Sequence, residues 1–340
     1  MIAFLKYTDE QRRQAFVLTA QKKGLPEPII EKDWWVSQVL NIVFDLEIAD
    51  QLVFKGGTSL SKGWNLIERF SEDIDLAVNP AYFGVTDLPT KKQIKTLRKR
   101  SSLFVAQELA RLLQQALEAS GLSEECRMEV QPDGEGDKTY PEPRVISLHY
   151  RSLYEESSMS YVQPVVKLEV GARSLIEPME KIACHSMVSE VLPVEDYKNV
   201  SINVAAPQKT FLEKVFLLHE LFSIERDSLT ANRRSRHLYD LERMMDKPFA
   251  ISAVKDDVLW EHIRQHRMAF TAMAGVDYNE HMRSELCLTP PERWLRDWQE
   301  DYQRMSTTMI YGEILPFKQL IARMKELEAR FRSANLTNQL

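Results

Sequence analysis

The chain has 340 residues, 44% hydrophobic and 28% charged, an ordinary balance for a globular protein and a length suited to two domains. Its formal net charge is −6, which excludes a polycation, so any nucleic-acid partner must be held by a local basic patch. Cys126, Cys184 and Cys287 stand far apart with no CxxC pair, which excludes a zinc ribbon and argues against a disulfide scaffold. With no apolar run of about 18 residues and no signal-peptide core behind Met1, a cytoplasmic protein with no membrane partner is expected.

Residues 8–23 are predicted helical, opening at Thr8 with Glu10 and Gln11 nearby in a loose N-cap pattern, and Pro26 and Pro28 break the run. Ile29 to Phe44 returns to helical spacing, with Trp34, Val36, Leu40 and Val43 on an apolar stripe. Gln51 to Phe54 reads as a short strand, Ser59 to Arg69 as a helix of about three turns, and Ile74 to Val78 as a strand. Ser101 to Ser120 has the spacing of an amphipathic helix. Arg127 to Val130, Arg144 to Tyr150 and Val162 to Val170 alternate as strands, the first two joined by the polar QPDGEGDKTYPEP loop. From Pro207 onward nearly every segment has helical period. The expected organisation is therefore a mixed-sheet α/β (α+β) domain over 1–205 and a helical bundle over 206–340.

The stretch FKGGTSLSKGWNLIERFSEDIDLAV, Phe54 to Val78, carries the chemistry. A strand running into Gly56, Gly57, Thr58 and Ser59 at a helix start turns free N–H groups toward an anion, and glycine lets a phosphate come close. Asp73 and Asp75, two apart on a strand, point to one face while Ile74 and Leu76 enter the core. Paired carboxylates repel unless a cation lies between them, and Mg2+ (or Mn2+) shared with substrate phosphates fits. A lone GG is usually a turn and a lone DxD often a solvated strand end, but their ordered combination specifies phosphoryl or nucleotidyl transfer from an NTP. No GxxxxGK[ST] loop is present, so a P-loop NTPase is not expected.

This stretch resembles the AbiEii/AbiGii-type nucleotidyltransferase toxins of type IV toxin–antitoxin and phage abortive-infection systems. So do EKDWWVSQVL (31–40), KTFLEKVFLLHE (209–220) and SRHLYDLERM (235–244), together spanning roughly residues 30–245. The interval from glycines to aspartates is slightly longer than the wider polymerase-β superfamily pattern. The resemblance implies a polymerase-β-like nucleotidyltransferase fold, an acceptor that is RNA, notably the tRNA 3′ end, and a block to translation and growth. It also implies a nearby antitoxin gene of winged-helix type. Modification of a protein hydroxyl, or an inert nucleotide-sensing module that binds a partner, stays open as an alternative.

Such a site needs a third carboxylate from a neighbouring strand, acting on the attacking hydroxyl. Alternation in PVVKLEVGAR (164–173) places Lys167 and Glu169 on one face, which makes Glu169 the candidate, although an edge strand with a solvated face would look alike. Lys214, amid apolar neighbours, either snorkels or meets a buried anion; the resemblance implies a nucleotide-phosphate contact, with Lys209 weaker. Asp240 reads by spacing as a surface pair with Arg236; the resemblance makes it an active-site residue that positions Lys214, with His237 beside it structural. Ser71, at the chain reversal before the DxD, joins the nucleotide-binding candidates. Six cations crowd residues 91–100, and RRSR occupies 233–236. Either run is a solvated face or an RNA-backbone contact, the latter through Lys91, Lys92, Lys95, Arg233 and Arg234. Trp34, Trp35 and Trp64 are expected in the core.

Overall fold

The computed structural model describes residues 2–85, 89–136, 139–155, 162–194, 198, 200–224, 231–279 and 282–337, with side chains to residue 334. Two compact units emerge: Met1–Gly63 with Phe70–Ala205, and Trp64–Arg69 with Ala206–Leu340. Residues 64–69, expected in the first domain, therefore cluster with the second. The described chain is mixed α/β, with a seven-stranded sheet and C-terminal helices. Among the described residues no helix is long and apolar enough to cross a membrane.

In the first unit, α1 (Asp9–Lys23) starts from a full capping box, in which Thr8 and Gln11 exchange side-chain-to-backbone bonds of 3.2 and 2.9 Å, and stops at left-handed Gly24. Pro26 and Pro28 do not break structure for long. They are the N-cap and a first-turn residue of α2 (Glu27–Val43), where a missing N–H costs nothing. The expected stripe on α2 is buried, but so is every residue from Ile29 to Val43, including Glu31, Lys32 and Asp33. A helix buried all round is a central element, not a half-exposed one.

The sheet order is β3-β4-β5-β2-β1-β7-β6. Its strands are β1 (Leu52–Lys55), β2 (Asp73–Val78), β3 (Cys126–Val130), β4 (Arg144–Tyr150), β5 (Val165–Gly171), β6 (Met179–Ala183) and β7 (Ser201–Ala205). Strand β2 runs parallel to β5 and antiparallel to β1, which runs parallel to β7. Both β6 and β7, like the short α6 (Met187–Val191), carry too few alternating residues to declare themselves in the sequence. After β1 comes a single turn, α3 (Gly56–Thr58), continued by a wide turn over Ser59–Gly63. The three-turn helix expected to Arg69 ends at Gly63. There a side chain would crowd Ile182 at 3.0 Å, and Asn65 follows in the left-handed region. The helix expected from Ser101 begins earlier than periodicity suggests. Thr90 caps α4 (Lys91–Phe104), which runs on through Val105–Leu109 into α5 (Ala110–Ser120).

The second unit is built from α7 (Pro207–Phe222), α8 (Arg236–Met244), α9 (Pro248–Ala253), α10 (Asp257–Phe270), α11 (Leu295–Thr308) and α12 (Phe317–Thr337). Pro207 lies in the first turn of α7, and Phe211, Leu212, Val215, Phe216 and Leu218 are wholly buried. Phe216 and Trp260 rings meet at 4.4 Å, and Trp260 meets Phe331 at 5.5 Å. Residues 64–69 are woven into this unit: Arg69 forms a β-bridge with Ile310, and the Glu68 carbonyl accepts from the backbone N–H groups of Tyr311 and Gly312.

Candidate active site

The first unit gathers the glycine turn and the carboxylates. Gly56 has φ +79°, and a Cβ there would lie 2.0 Å from Asp75 Oδ2. Position 56 thus accepts only glycine, both for backbone conformation and for space. Gly57 belongs to the right-handed turn that follows. Thr58 and Ser59 are fully buried. Thr58 Oγ1 lies 2.9 Å from Ser71 Oγ and donates to the Asp73 carbonyl at 2.5 Å, while Ser59 Oγ donates to the Gly56 carbonyl at 2.9 Å. These hydroxyls stitch the glycine turn to the start of β2.

On β2, Ile74 and Leu76 are buried while Asp73 and Asp75 are half-buried on the opposite face. The register with β5 pairs Asp73 with Lys167 and Asp75 with Glu169. Side chains level with one another on adjacent strands share a face, so three carboxylates and one lysine share that surface. Burial, then Glu72, then Asp75 push the Asp73 carboxyl above its usual range, against the pull of Lys167 and Lys32. The face is short of positive charge. Its hard oxygen donors are of the kind that Mg2+ or Mn2+ takes. Among the described residues no group of three or more His, Cys, Asp or Glu side chains is placed to hold a metal ion.

The second unit holds a buried polar cluster. Asp240, on α8, is fully buried and receives Arg69 Nε at 2.6 Å, Arg69 Nη2 at 2.8 Å and Lys214 Nζ at 2.9 Å. Burial pushes the Asp240 carboxyl up, but Arg69 and Lys214 overcome it and hold the group well below the usual carboxylate range. Burial lowers Lys214, against the pull of Asp240. His237 Nδ1 lies 3.5 Å from Lys214 Nζ, and burial followed by Lys214 and Arg236 lowers its pKa well below the usual range. Asp240 is therefore no surface partner on a helix. Lys209 is buried in the first turn of α7.

Lys91, Lys92 and Lys95 are exposed on the first turns of α4, whereas Arg98 and Arg100 of the same run donate to the carbonyls of Tyr140 and Phe83. Arg233 and Arg234 are exposed in a turn whose backbone Asp301 holds through the N–H groups of Arg233 and Ser235. Arg69, Glu72 and Lys32 are not marked by the sequence as site residues, and Lys167 only as a neighbour of Glu169 on its strand face. The strand pairing sets Lys167 level with Asp73, and nothing in local spacing marks Arg69, whose partner lies 171 positions away.

The family model described as the nucleotidyl transferase AbiEii toxin of the type IV toxin–antitoxin system matches residues 39–323. Among solved structures, the fold is similar to MenT4, a nucleotidyltransferase toxin from Mycobacterium tuberculosis H37Rv. The TM-score is 0.51 at 17% identity, over 94% of this chain and 87% of that one. No curated protein matches the sequence.

Proposed function

We propose, for a chain that belongs to the AbiEii nucleotidyltransferase toxin family of type IV toxin–antitoxin systems, the transfer of a nucleotidyl group from an NTP to the 3′ end of tRNA, supported by Mg2+ and arresting translation and growth. The observation that carries it is the shared face of Asp73, Asp75 and Glu169 beside Gly56. Asp73 and Asp75 would hold the metal, with Mn2+ as a substitute, and it would supply positive charge to the phosphates of the bound NTP. The Gly56–Gly57 turn offers backbone N–H groups to the same phosphates, with no Cβ at residue 56 to keep them away.

In the transfer the acceptor hydroxyl oxygen bonds to the α-phosphorus, and the bond to the pyrophosphate oxygen breaks. Glu169 takes the hydroxyl proton. Lys214, oriented by Asp240, provides a cation for the nucleotide, and Ser71 a hydroxyl. Lys91, Lys92, Lys95, Arg233 and Arg234 meet the RNA backbone. A winged-helix antitoxin encoded nearby restrains the activity.

The test is incubation of the purified protein with each α-³²P-NTP, Mg2+ and total tRNA, followed by gel electrophoresis. Label on RNA with wild type, and none with Asp73→Asn, is expected. Label on protein alone redirects the transfer to a protein hydroxyl, and no label with any NTP overturns catalysis.

A further inference from the structure

Three consecutive charged residues of α2, Glu31, Lys32 and Asp33, are each 5% exposed or less. Charged side chains are almost never so buried unless paired, and each of these reaches a different segment of the first unit. Glu31 accepts from Ser152 Oγ at 2.5 Å and from the Leu153 N–H at 2.7 Å, just beyond β4. Asp33 accepts from Lys62 Nζ at 2.5 Å, in the turn that follows the glycines, and from the Met187 N–H at 2.7 Å, where α6 begins. Lys32 lies between them. Its ammonium donates to the Gln163 carbonyl at 2.8 Å and to the Val165 carbonyl, and pairs with Glu72 at 3.2 Å. Three donors meet three acceptors, which is all an ammonium can do.

Two of those partners lie on the approach to the carboxylates. Glu72 directly precedes Asp73. Val165 opens β5, two residues before Lys167 and four before Glu169, the partners of Asp73 and Asp75. A buried cation bonded at both places fixes one segment against the other. At 1% exposure Lys32 does not reach substrate, so its part is geometric.

We propose that Lys32 is the positioning residue of the transfer site, clamping the residues before β2 to the start of β5 so that Asp73, Asp75 and Glu169 are held together before substrate binds. This rests on the proposed transfer reaction, and deepens it by assigning the EKDWWVSQVL segment a role at the site. Without the clamp the two strands still pair through their backbones, but Glu72 and two carbonyls lose a buried donor. Positioning should then fail in turnover more than in nucleotide binding.

The experiment compares full-length wild type, Lys32→Met and Lys32→Met/Glu72→Gln. Amide hydrogen exchange over residues 72–78 and 163–169 should rise about tenfold in Lys32→Met while amides of α7 stay unchanged. The turnover number should fall about tenfold to a hundredfold, as for removal of an outer-shell partner, with KM for NTP within about threefold of wild type. Adding Glu72→Gln, which removes the stranded charge, should recover part of the turnover. Unchanged exchange in both segments of a folded Lys32→Met protein overturns the proposal, as does an unchanged turnover number. If Lys32→Met does not fold, the double variant takes its place, and exchange at 163–169 equal to wild type overturns the clamp. If wild type itself transfers no label, the transfer reaction fails while the exchange data still decide the clamp.

Discussion

Gly56 and Asp75 occupy the same space: a Cβ on the glycine would lie 2.0 Å from one carboxylate oxygen and 2.8 Å from the carboxyl carbon. The glycine turn and the aspartate strand are therefore a single fitted unit. Gly56→Ala must strain a backbone at φ +79° and push Asp75 off its face. A loss of about 1–3 kcal/mol of stability is expected, with transfer abolished. Gly57→Ala, in a right-handed turn, should keep its fold with a smaller stability loss. Urea unfolding and label transfer on both variants check this, and a fully active Gly56→Ala would remove the fitted turn from the mechanism.

Asp73 is held by geometry against its own electrostatics. Burial, Glu72 and Asp75 raise its carboxyl, so the native state disfavours the charge. The native protein then binds more protons than the unfolded chain between the unfolded and folded pKa values, and stability falls as pH rises through that window. Asp73→Asn should stabilise the metal-free protein at pH 7 while eliminating transfer. Thermal melts with and without Mg2+ are the measurement. A metal-free variant less stable than wild type would contradict the repulsion.

What can be read from the sequence, and what cannot, divides by distance along the chain. Asp73, Asp75 and Glu169 are legible because strand alternation is a two-residue rule, and β2 and β5 obey it. The helix expected to Arg69 fails because a run with helical spacing cannot reveal that residues 64–69 pair with a segment far down the chain. Arg69 pairs with Ile310 in backbone and with Asp240 in side chain. Lys32 is hidden for the opposite reason: a charged triplet inside an otherwise apolar helix looks like a solvated edge until every face of that helix is covered. The short strands β6 and β7 are specified by their neighbours more than by their own residues.

Arg69 and Asp240 form a two-pronged pair with almost no exposure of either side chain, 2% and 0%. Removing one partner of a buried pair leaves the other charge uncompensated, so Arg69→Met should cost about 3–5 kcal/mol. Arg69→Lys keeps the charge but loses the planar fork, and should fall between. Chemical denaturation of the full-length variants checks the order. An Arg69→Met protein within about 1 kcal/mol of wild type would mean that Lys214 alone satisfies Asp240.

Glu142 offers a second pH handle, beside Gly171 at the end of β5. Burial raises its carboxyl to about 7, against the bond from the Ala172 N–H and the pull of the Ser101 hydroxyl. The unfolded chain releases this proton near 4.5. Between those values the native state holds more protons, so stability declines as pH rises from about 4.5 to about 7. Glu142→Gln cannot ionise and should remove that part of the slope, leaving the variant more stable at pH 8 by on the order of 2–3 kcal/mol. Denaturation midpoints at several pH values decide it, and parallel profiles for wild type and variant would place the titration elsewhere.

On a protein of net charge −6, an RNA acceptor must be met by local positive charge. Lys91, Lys92 and Lys95 project from the start of α4, while Arg98 and Arg100 of the same run are bonded to backbone carbonyls. The exposed lysines are the ones available for phosphates, so neutralising them to Gln should spare the fold. Each RNA phosphate left without its cation should flatten the plot of log affinity against log salt by about 0.7–0.9. Label transfer to tRNA should therefore drop most at moderate KCl, with NTP binding by calorimetry unchanged. The exposed pair Arg233 and Arg234 takes the same test separately, because Asp301 holds its turn through backbone N–H groups that side-chain truncation leaves in place. Transfer to a protein hydroxyl would show little salt dependence in any variant. Superimposable salt curves for wild type and both charge variants would return these runs to solvated helix and turn surface.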